Sequence, residues 1–350
     1  MHMINDNVIK RQNYSRGKAP IFVCVTYRRL TTLVCLLLVL MGCAKEQTAP
    51  PTPQPTPNIV AAPIPNTTLP QPTATNIGVP STLTNQPTLN FDGNRAYQSV
   101  IDQVALGPRI TGTAPNQQLG EQVLSHLTTH GWLTRTQNFV YKNTPARNLI
   151  GVKGAQNKDI VIIGAHYDTR RKADQDPQYP NQPVPGANDG ASGVAVLMEL
   201  ARTLEINRID KQVWLVFFDA EDNGDLDGWE WIVGSQQFAA SLTISPTAVI
   251  IIDMIGDADQ EIWLERSSNL ALSTELWEVA HKLGYEQYFR KLPRWSMLDD
   301  HTPFLQRGWK AIDIIDFDYA HWHKTSDTPD KVSAQSLLHV GRTLEAWLEK

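Results

Sequence analysis

Short apolar runs rich in β-branched residues alternate with longer segments of helical periodicity, and this alternation is the strongest constraint on the fold. The runs cover residues 148–152, 159–163, 212–218, 248–252 and 311–315, and the helical segments cover 115–129, 191–204, 270–283 and 334–348. Strands that alternate with helices form a mixed, mostly parallel sheet that needs helices on both faces. The sequence therefore predicts one α/β domain over residues 91–350.

The N-terminal segment has a different character. Basic residues precede an apolar stretch of about a dozen residues that ends in Leu40-Met41-Gly42-Cys43. This stretch is shorter than the roughly 20 residues of a membrane-spanning helix and is typical of an export signal. Its end resembles a bacterial lipobox, which places a lipid on Cys43. We expect residues 1–43 to be a lipoprotein-type signal peptide and the chain to be exported and anchored in the cell envelope. The alternative is an ordinary signal peptide with a bystander cysteine.

Residues 44–90 hold 11 of the 23 prolines and ten threonines, and no charged residue follows Glu46. This composition predicts a disordered linker. The first 43 residues carry a charge of +5, which leaves −10 for the rest of the chain and argues against nucleic-acid binding. All three cysteines lie within residues 1–43, so a metal in the predicted domain needs His, Asp and Glu as ligands.

Histidines and carboxylates follow the apolar runs where each predicted strand ends, and one more lies where a glycine-rich loop enters a helical segment. Each alone has an ordinary explanation, such as an aspartate that caps a helix. Together they predict a ligand crevice at the carboxyl ends of the strands, with nitrogen and oxygen donors that suit zinc. The positions are His166, Asp168, Asp189, Glu221, Asp222, Asp253 and His323.

Several motifs occur in the order typical of one family: "GAHYDTR", "GANDGASG", "FFDAED", "IIDMIG", "DDHTPFLQRG" and "WHKTSDT". With them the chain resembles the co-catalytic zinc aminopeptidases, metallopeptidase family twenty-eight, and the resemblance implies their zinc exopeptidase fold, which is phosphorylase/hydrolase-like. Carried over by position, the family pattern makes Glu221 the general base and Asp189 a ligand that bridges two zinc ions. The implied ligands are His166, Asp189, Asp222, Asp253 and His323. Aminopeptidases usually have Glu at the position of Asp222.

Within this family the chain is most similar to the bacterial glutaminyl cyclases of the animal type. Asp299 matches a catalytic acid of those enzymes, and Trp322 matches a tryptophan of their substrate pocket. A long loop after Glu221 contains Trp229 and Trp231, either of which is a further candidate for the pocket.

The resemblance leaves two reactions open. In the cyclase branch one zinc is held at the positions of Asp189, Asp222 and His323, and Asp253 joins Glu221 and Asp299 in a proton network. The substrate is then the N-terminal glutamine of a peptide, which becomes pyroglutamate. In the alternative, a di-zinc aminopeptidase, His166 and Asp253 hold the second zinc and Glu221 activates a water molecule against the first peptide bond.

Some expectations concern residues around this constellation. Asp168 and Asp327 are expected to support metal ligands through hydrogen bonds, and Asp300 to cap the helix that follows it. The run Arg170-Arg171-Lys172 is expected to be a solvated loop face, and the protein to be a monomer. A non-catalytic binding domain is disfavoured, because Glu221 and all ligand positions carry competent residues.

Overall fold

The computed structural model of the chain describes residues 88–156 and 158–349. The predicted signal peptide, the lipidation site Cys43 and nearly all of the predicted linker lie outside these residues. None of the helices in the two described ranges combines the length and apolar character of a membrane span.

A six-stranded sheet forms the centre of the described part of the chain. Its strands are β1 (Leu133–Tyr141), β2 (Thr144–Lys153), β3 (Ile160–His166), β4 (Gln212–Phe218), β5 (Ala248–Asp253) and β8 (Ala311–Ile315), and a small separate pair consists of β6 (Ile262–Leu264) and β7 (Phe289–Pro293). The order is β1-β2-β4-β3-β5-β8, in which β4, β3, β5 and β8 run parallel and β2 pairs antiparallel with both β1 and β4. The predicted mixed, mostly parallel α/β sheet is thus confirmed.

Helices cover both faces of this sheet. The helices are α1 (Gly93–Ala105), α2 (Ala114–Thr129), α3 (Ala191–Thr203), α4 (Val233–Ser241), α5 (Leu270–Lys282), α6 (Thr302–Gln306) and α7 (Ala334–Leu348). Alternate side chains of β4 point to opposite faces, so that Leu215 and Phe217 pack beneath α3 while Val216 and Phe218 pack against α4 and α6. Two apolar layers result, and the inner strands are buried on both sides.

Some elements have no strong sequence signal. β1 lies at the edge of the sheet, where most of its side chains are exposed, so it lacks the apolar run that marks the inner strands. Its link to β2 is a two-residue turn in which Lys142 and Asn143 both have positive φ, as in a tight hairpin. α1 and α4 were likewise not predicted.

Candidate metal centre

The carboxyl ends of β3, β4 and β5 bring most of the predicted ligands to one place, and α3 begins just beside it. His166 is the last residue of β3 and Asp253 is the last residue of β5. The Nε2 atom of His166 lies 3.1 Å from Oδ1 of Asp253 and 3.1 Å from Oδ1 of Asp189. These three side chains form one group of candidate ligands, whose ligand atoms all lie within 4.8 Å of one another.

A second group shares Asp189 with the first. The Nε2 atom of His323 lies 3.1 Å from Oδ1 of Asp222 and 3.8 Å from Oδ2 of Asp189. One oxygen of Asp189 therefore faces each group, which is the geometry of a bridging carboxylate. The structure brings together all five predicted ligand positions.

The buried donors of this site fit a zinc ion. Within the described residues, Oδ2 of Asp222 is buried without a hydrogen-bond partner. Burial, together with the charge of Asp189, raises the pKa of Asp222 to about 6. Burial also raises the pKa of Asp253 to about 7, with Asp299 and Asp189 adding to the effect. A divalent cation would remove this repulsion, and imidazole nitrogens with carboxylate oxygens are ligands that zinc prefers.

Asp168 and Asp327 hold the backbone of the ligand loops. Asp168 accepts hydrogen bonds from the backbone N–H groups of Glu221 and Asp222, at 3.0 and 3.2 Å. Asp327 accepts from the N–H groups of Asn188 and Asp189, at 2.8 and 3.2 Å, and from the Tyr319 hydroxyl. Both carboxylates therefore fix ligand positions without being candidate ligands themselves.

Two buried arginines also position these loops. Arg109 donates to the carbonyl oxygens of Pro185 and Gly186, in the loop that leads to Asp189, and sequence reasoning missed it. Arg170 is only 1% exposed, and it donates to the carbonyl oxygen of Asp222 at 3.0 Å and pairs with Asp174 at 2.5 Å. The prediction that Arg170 belongs to a solvated loop face is therefore wrong, because its guanidinium joins two loops of the site.

Glu221 lies beside the first ligand group. Its Oε2 atom is 3.9 Å from Nδ1 of His166, and its residue is only 8% exposed. Burial raises the pKa of Glu221 well above its usual value, and the charges of Asp222 and Asp300 reinforce this, while His166 opposes it. A carboxylate with a raised pKa can accept a proton and return it near neutral pH, as a general base requires.

The predicted acid Asp299 belongs to a separate cluster of buried side chains. Asp299, His301 and Asp313 have ligand-type atoms within 4.8 Å of one another, and burial together with the charge of Asp299 raises the pKa of Asp313. Asp313 was missed, although an aspartate inside an apolar run is an unusual signal. The prediction that Asp300 caps α6 is wrong, because α6 begins at Thr302 without any side-chain cap and Asp300 is fully buried.

The predicted pocket tryptophans divide into two kinds. Trp322 stacks on the His323 ring with centroids 3.8 Å apart, and Trp231 lies parallel to that ring at 5.8 Å. Trp229 is instead buried within its own loop, 5.2 Å from the Tyr141 ring and 4.5 Å from the Arg171 guanidinium. Of the two loop tryptophans, Trp231 is the one that borders the metal centre.

Related sequences occur among known peptidases and glutaminyl-peptide cyclotransferases. The sequence signature of "Peptidase family M28" matches residues 148–348. Aminopeptidase YwaD of Bacillus subtilis is 27% identical over 59% of this chain and 45% of its own length, so the chain spans less than half of that protein. A glutaminyl-peptide cyclotransferase of the snake Boiga irregularis is 23% identical over 62% of this chain and 70% of its own length.

Solved structures are similar over most of the described chain. The crystal structure of Porphyromonas gingivalis glutaminyl cyclase superposes with a TM-score of 0.71 and 31% identity, covering 75% of this chain and 99% of that one. A leucine aminopeptidase precursor from Bacteroides thetaiotaomicron gives a TM-score of 0.70 and 30% identity with the same coverage. Both kinds of enzyme thus share this fold.

Proposed function

Because the chain belongs to peptidase family M28, we propose that it is a zinc-dependent glutaminyl-peptide cyclotransferase, which converts the N-terminal glutamine of peptides to pyroglutamate. The family resemblance predicted from the motifs is confirmed, and with it the prediction of a zinc-dependent enzyme. The observation that carries the cyclase assignment is the pair of indoles, Trp322 and Trp231, that flank the ring of His323. Both indoles lie beside a predicted zinc ligand, where they would offer flat apolar surfaces to the side chain of a substrate.

The residues of this chain supply the groups that cyclisation needs. Asp189, Asp222 and His323 would hold a zinc ion, which when bound would supply Lewis-acid polarisation of the substrate's γ-carbonyl group. Glu221 takes a proton from the α-amine, whose nitrogen forms a bond to the γ-carbonyl carbon. The carbon–nitrogen bond of the side-chain amide then breaks, and Glu221 returns the proton to the leaving ammonia. No water enters the reaction, which is consistent with a buried base.

The alternative, a di-zinc aminopeptidase, rests on a different observation. His166 and Asp253 form a second ligand group with Asp189, so the same site has donors for a second zinc ion. With two ions bound, Glu221 would take its proton from a water molecule that attacks the first peptide bond. We propose one zinc per chain for the cyclase and two for the aminopeptidase.

One experiment separates the two functions. The domain from residue 91 onward is loaded with zinc, its metal content is measured, and it is incubated with a peptide that begins with Gln and one that begins with Leu. Loss of ammonia alone from the Gln peptide, with the Leu peptide intact and one zinc per chain, supports the cyclase. Release of whole N-terminal residues with two zinc ions supports the aminopeptidase. Glu221→Gln is the control, because either activity should disappear in it.

We also propose that the protein is exported and anchored to a membrane by a lipid on Cys43. The sequence around Cys43 supports this. Replacement Cys43→Ser should release the protein into the soluble fraction, and unchanged membrane association would contradict the proposal.

A further inference from the structure

A row of aromatic rings leads away from the metal centre along the surface. Trp322, which stacks on His323, is in edge contact with Phe317, at a centroid distance of 5.1 Å and an interplanar angle of 65°. Phe317 is in turn in edge contact with Trp295, at 5.6 Å and 73°. All three rings are half-buried, so each presents part of its apolar surface to solvent. We call Trp322, Phe317 and Trp295 the aromatic row.

An arginine fixes the outer end of this row. The guanidinium carbon of Arg294 lies 5.0 Å from the centroid of Trp295 and 4.9 Å from that of Trp263. Its Nη1 atom pairs with Asp318 at 2.7 Å. The backbone N–H of Arg266 also donates to the carbonyl oxygen of Trp295 at 2.8 Å. Trp295 is therefore held in place before any ligand arrives, which lowers the entropy that binding would cost.

The length of the row is comparable with that of a short extended peptide. From the ring of His323, the successive centroids follow at 3.8, 5.1 and 5.6 Å. An extended chain advances by about 3.3 Å per residue, so the row covers at most about four to five residue steps, and a large side chain at the fourth position of a peptide whose first residue lies at the metal centre comes within reach of Trp295. A dipeptide would reach only the inner rings.

We propose that the aromatic row is a subsite for apolar or aromatic side chains at the second to fourth positions of the peptide substrate. This inference rests on the proposed cyclase function. Aromatic faces bind apolar side chains by burial and edge contacts. Such contacts do not require the bound side chain to stand at one fixed position of the peptide. The charge of Arg294 is already matched by Asp318, so the row offers no unpaired charge to attract an acidic or basic substrate. Because the aromatic row begins at Trp322, beside the metal centre, the peptide substrate is the occupant that the geometry favours over another macromolecule.

Peptide comparisons on the intact enzyme test this subsite. The substrates are Gln-Ala-Ala-Ala-amide and variants with Phe at the second, third or fourth position. One added aromatic contact is worth about 0.5–1.5 kcal/mol, so the best Phe peptide should exceed the Ala peptide in kcat/KM by roughly 2- to 12-fold, mainly through KM. This comparison needs only the wild-type enzyme. In Trp295→Ala the preference for Phe should fall towards one, and Trp295→Phe should keep most of it.

Trp309→Ala is the matched control. Trp309 is also a half-buried indole beneath an arginine, with the Arg307 guanidinium carbon 4.6 Å from its centroid, but it packs beside α6 and outside the row. This variant should keep the wild-type preference for Phe, while it controls for the loss of stability on deleting such a ring.

The outcomes separate this inference from the proposed function. If every Gln peptide loses ammonia but Phe and Ala peptides react equally well, the subsite is wrong and the cyclase assignment stands. If no Gln peptide is cyclised, the cyclase assignment fails and this inference fails with it. A dimer that Trp295→Ala dissociates, with an unchanged preference for Phe, would show that a second copy covers the row and would overturn the peptide subsite.

Discussion

The replacement Asp168→Asn tests how strongly the metal centre depends on one buried carboxylate. Oδ1 of Asp168 accepts from the backbone N–H of Glu221 at 3.0 Å. Oδ2 accepts from the N–H of Asp222 at 3.2 Å, from the Thr111 hydroxyl at 3.2 Å and from the Asn223 amide at 3.4 Å. Every neighbour that bonds to Asp168 is thus a donor, and an asparagine of the same shape has only one oxygen to offer them.

The magnitude follows from this count of donors. Whichever way the asparagine amide is turned, its NH2 group faces the N–H of Glu221 or the N–H of Asp222. One buried N–H then loses its acceptor, at a cost of about 1–3 kcal/mol, which corresponds to roughly 5- to 150-fold in an equilibrium constant. Removal of groups that support metal ligands typically costs 10- to 100-fold in metal affinity or activity, which is the same range.

The assay measures zinc affinity by chelator competition and kcat/KM for pyroglutamate formation. The zinc measurement tests the argument even if the enzyme does not catalyse the proposed cyclisation. Thr111→Val is the control, because it removes one hydroxyl donor from Asp168 and leaves the carboxylate in place. It should lose less than tenfold in both measurements. If Asp168→Asn behaves like this control, the argument that Asp168 fixes the Glu221-Asp222 backbone is refuted.

Further predictions concern the base, a buried ion pair and pH. Glu221→Gln should bind zinc normally but lose about 10²- to 10⁴-fold in kcat, measured by turnover and metal analysis, and lost zinc would instead mark Glu221 as a ligand. Arg170→Met should lower the free energy of unfolding by about 3–5 kcal/mol in urea titration, whereas Lys172→Met, which removes an exposed ion pair with Asp227, should change it by less than about 1 kcal/mol. Burial raises the pKa of Asp316 to about 7. The folded state therefore keeps a proton that the unfolded chain releases above about pH 4, and Asp316 destabilises the fold as pH rises from about 4 to about 7. Asp316→Asn should thus gain on the order of 2–4 kcal/mol relative to wild type between about pH 4.5 and pH 7.5 in denaturation measurements, and a pH-independent difference would contradict this.

The sequence signals were strongest where the environment is uniform. The strands β4 and β8 coincide with the apolar runs 212–218 and 311–315, because strands covered on both faces consist mostly of apolar residues. Helix α7 was likewise located to the residue, since its buried positions repeat with helical spacing. β1 was missed for the opposite reason, because an edge strand with exposed side chains shows no such pattern.

Site residues can be recognised from the sequence where their position at the end of a predicted strand fixes their position in the fold. His166 and Asp253 end parallel neighbouring strands, and the topology alone brings such residues together. Arg170 could not be assigned in this way, because its partners are Asp174 and the carbonyl oxygen of Asp222, and nothing in a basic run indicates that two loops will close around it. Asp300 was misjudged for a related reason, since an aspartate before a helix has the same sequence context whether it caps that helix or is buried without capping it.

The two candidate functions differ in which positive charge offsets the carboxylates of Asp189 and Asp253 beside His166. Burial lowers the pKa of His166, but the charge of Asp253 and hydrogen bonds with neighbouring carboxylates raise it well above its usual value. A protonated His166, with Nε2 at 3.1 Å from both aspartates, would supply one positive charge to this ligand group. In a one-zinc cyclase this imidazolium would offset one of the two carboxylate charges, whereas a two-zinc aminopeptidase would require His166 to give up its proton and become a ligand. The same side chains serve both arrangements, so the number of zinc ions per chain, rather than the identity of the ligands, distinguishes the two functions.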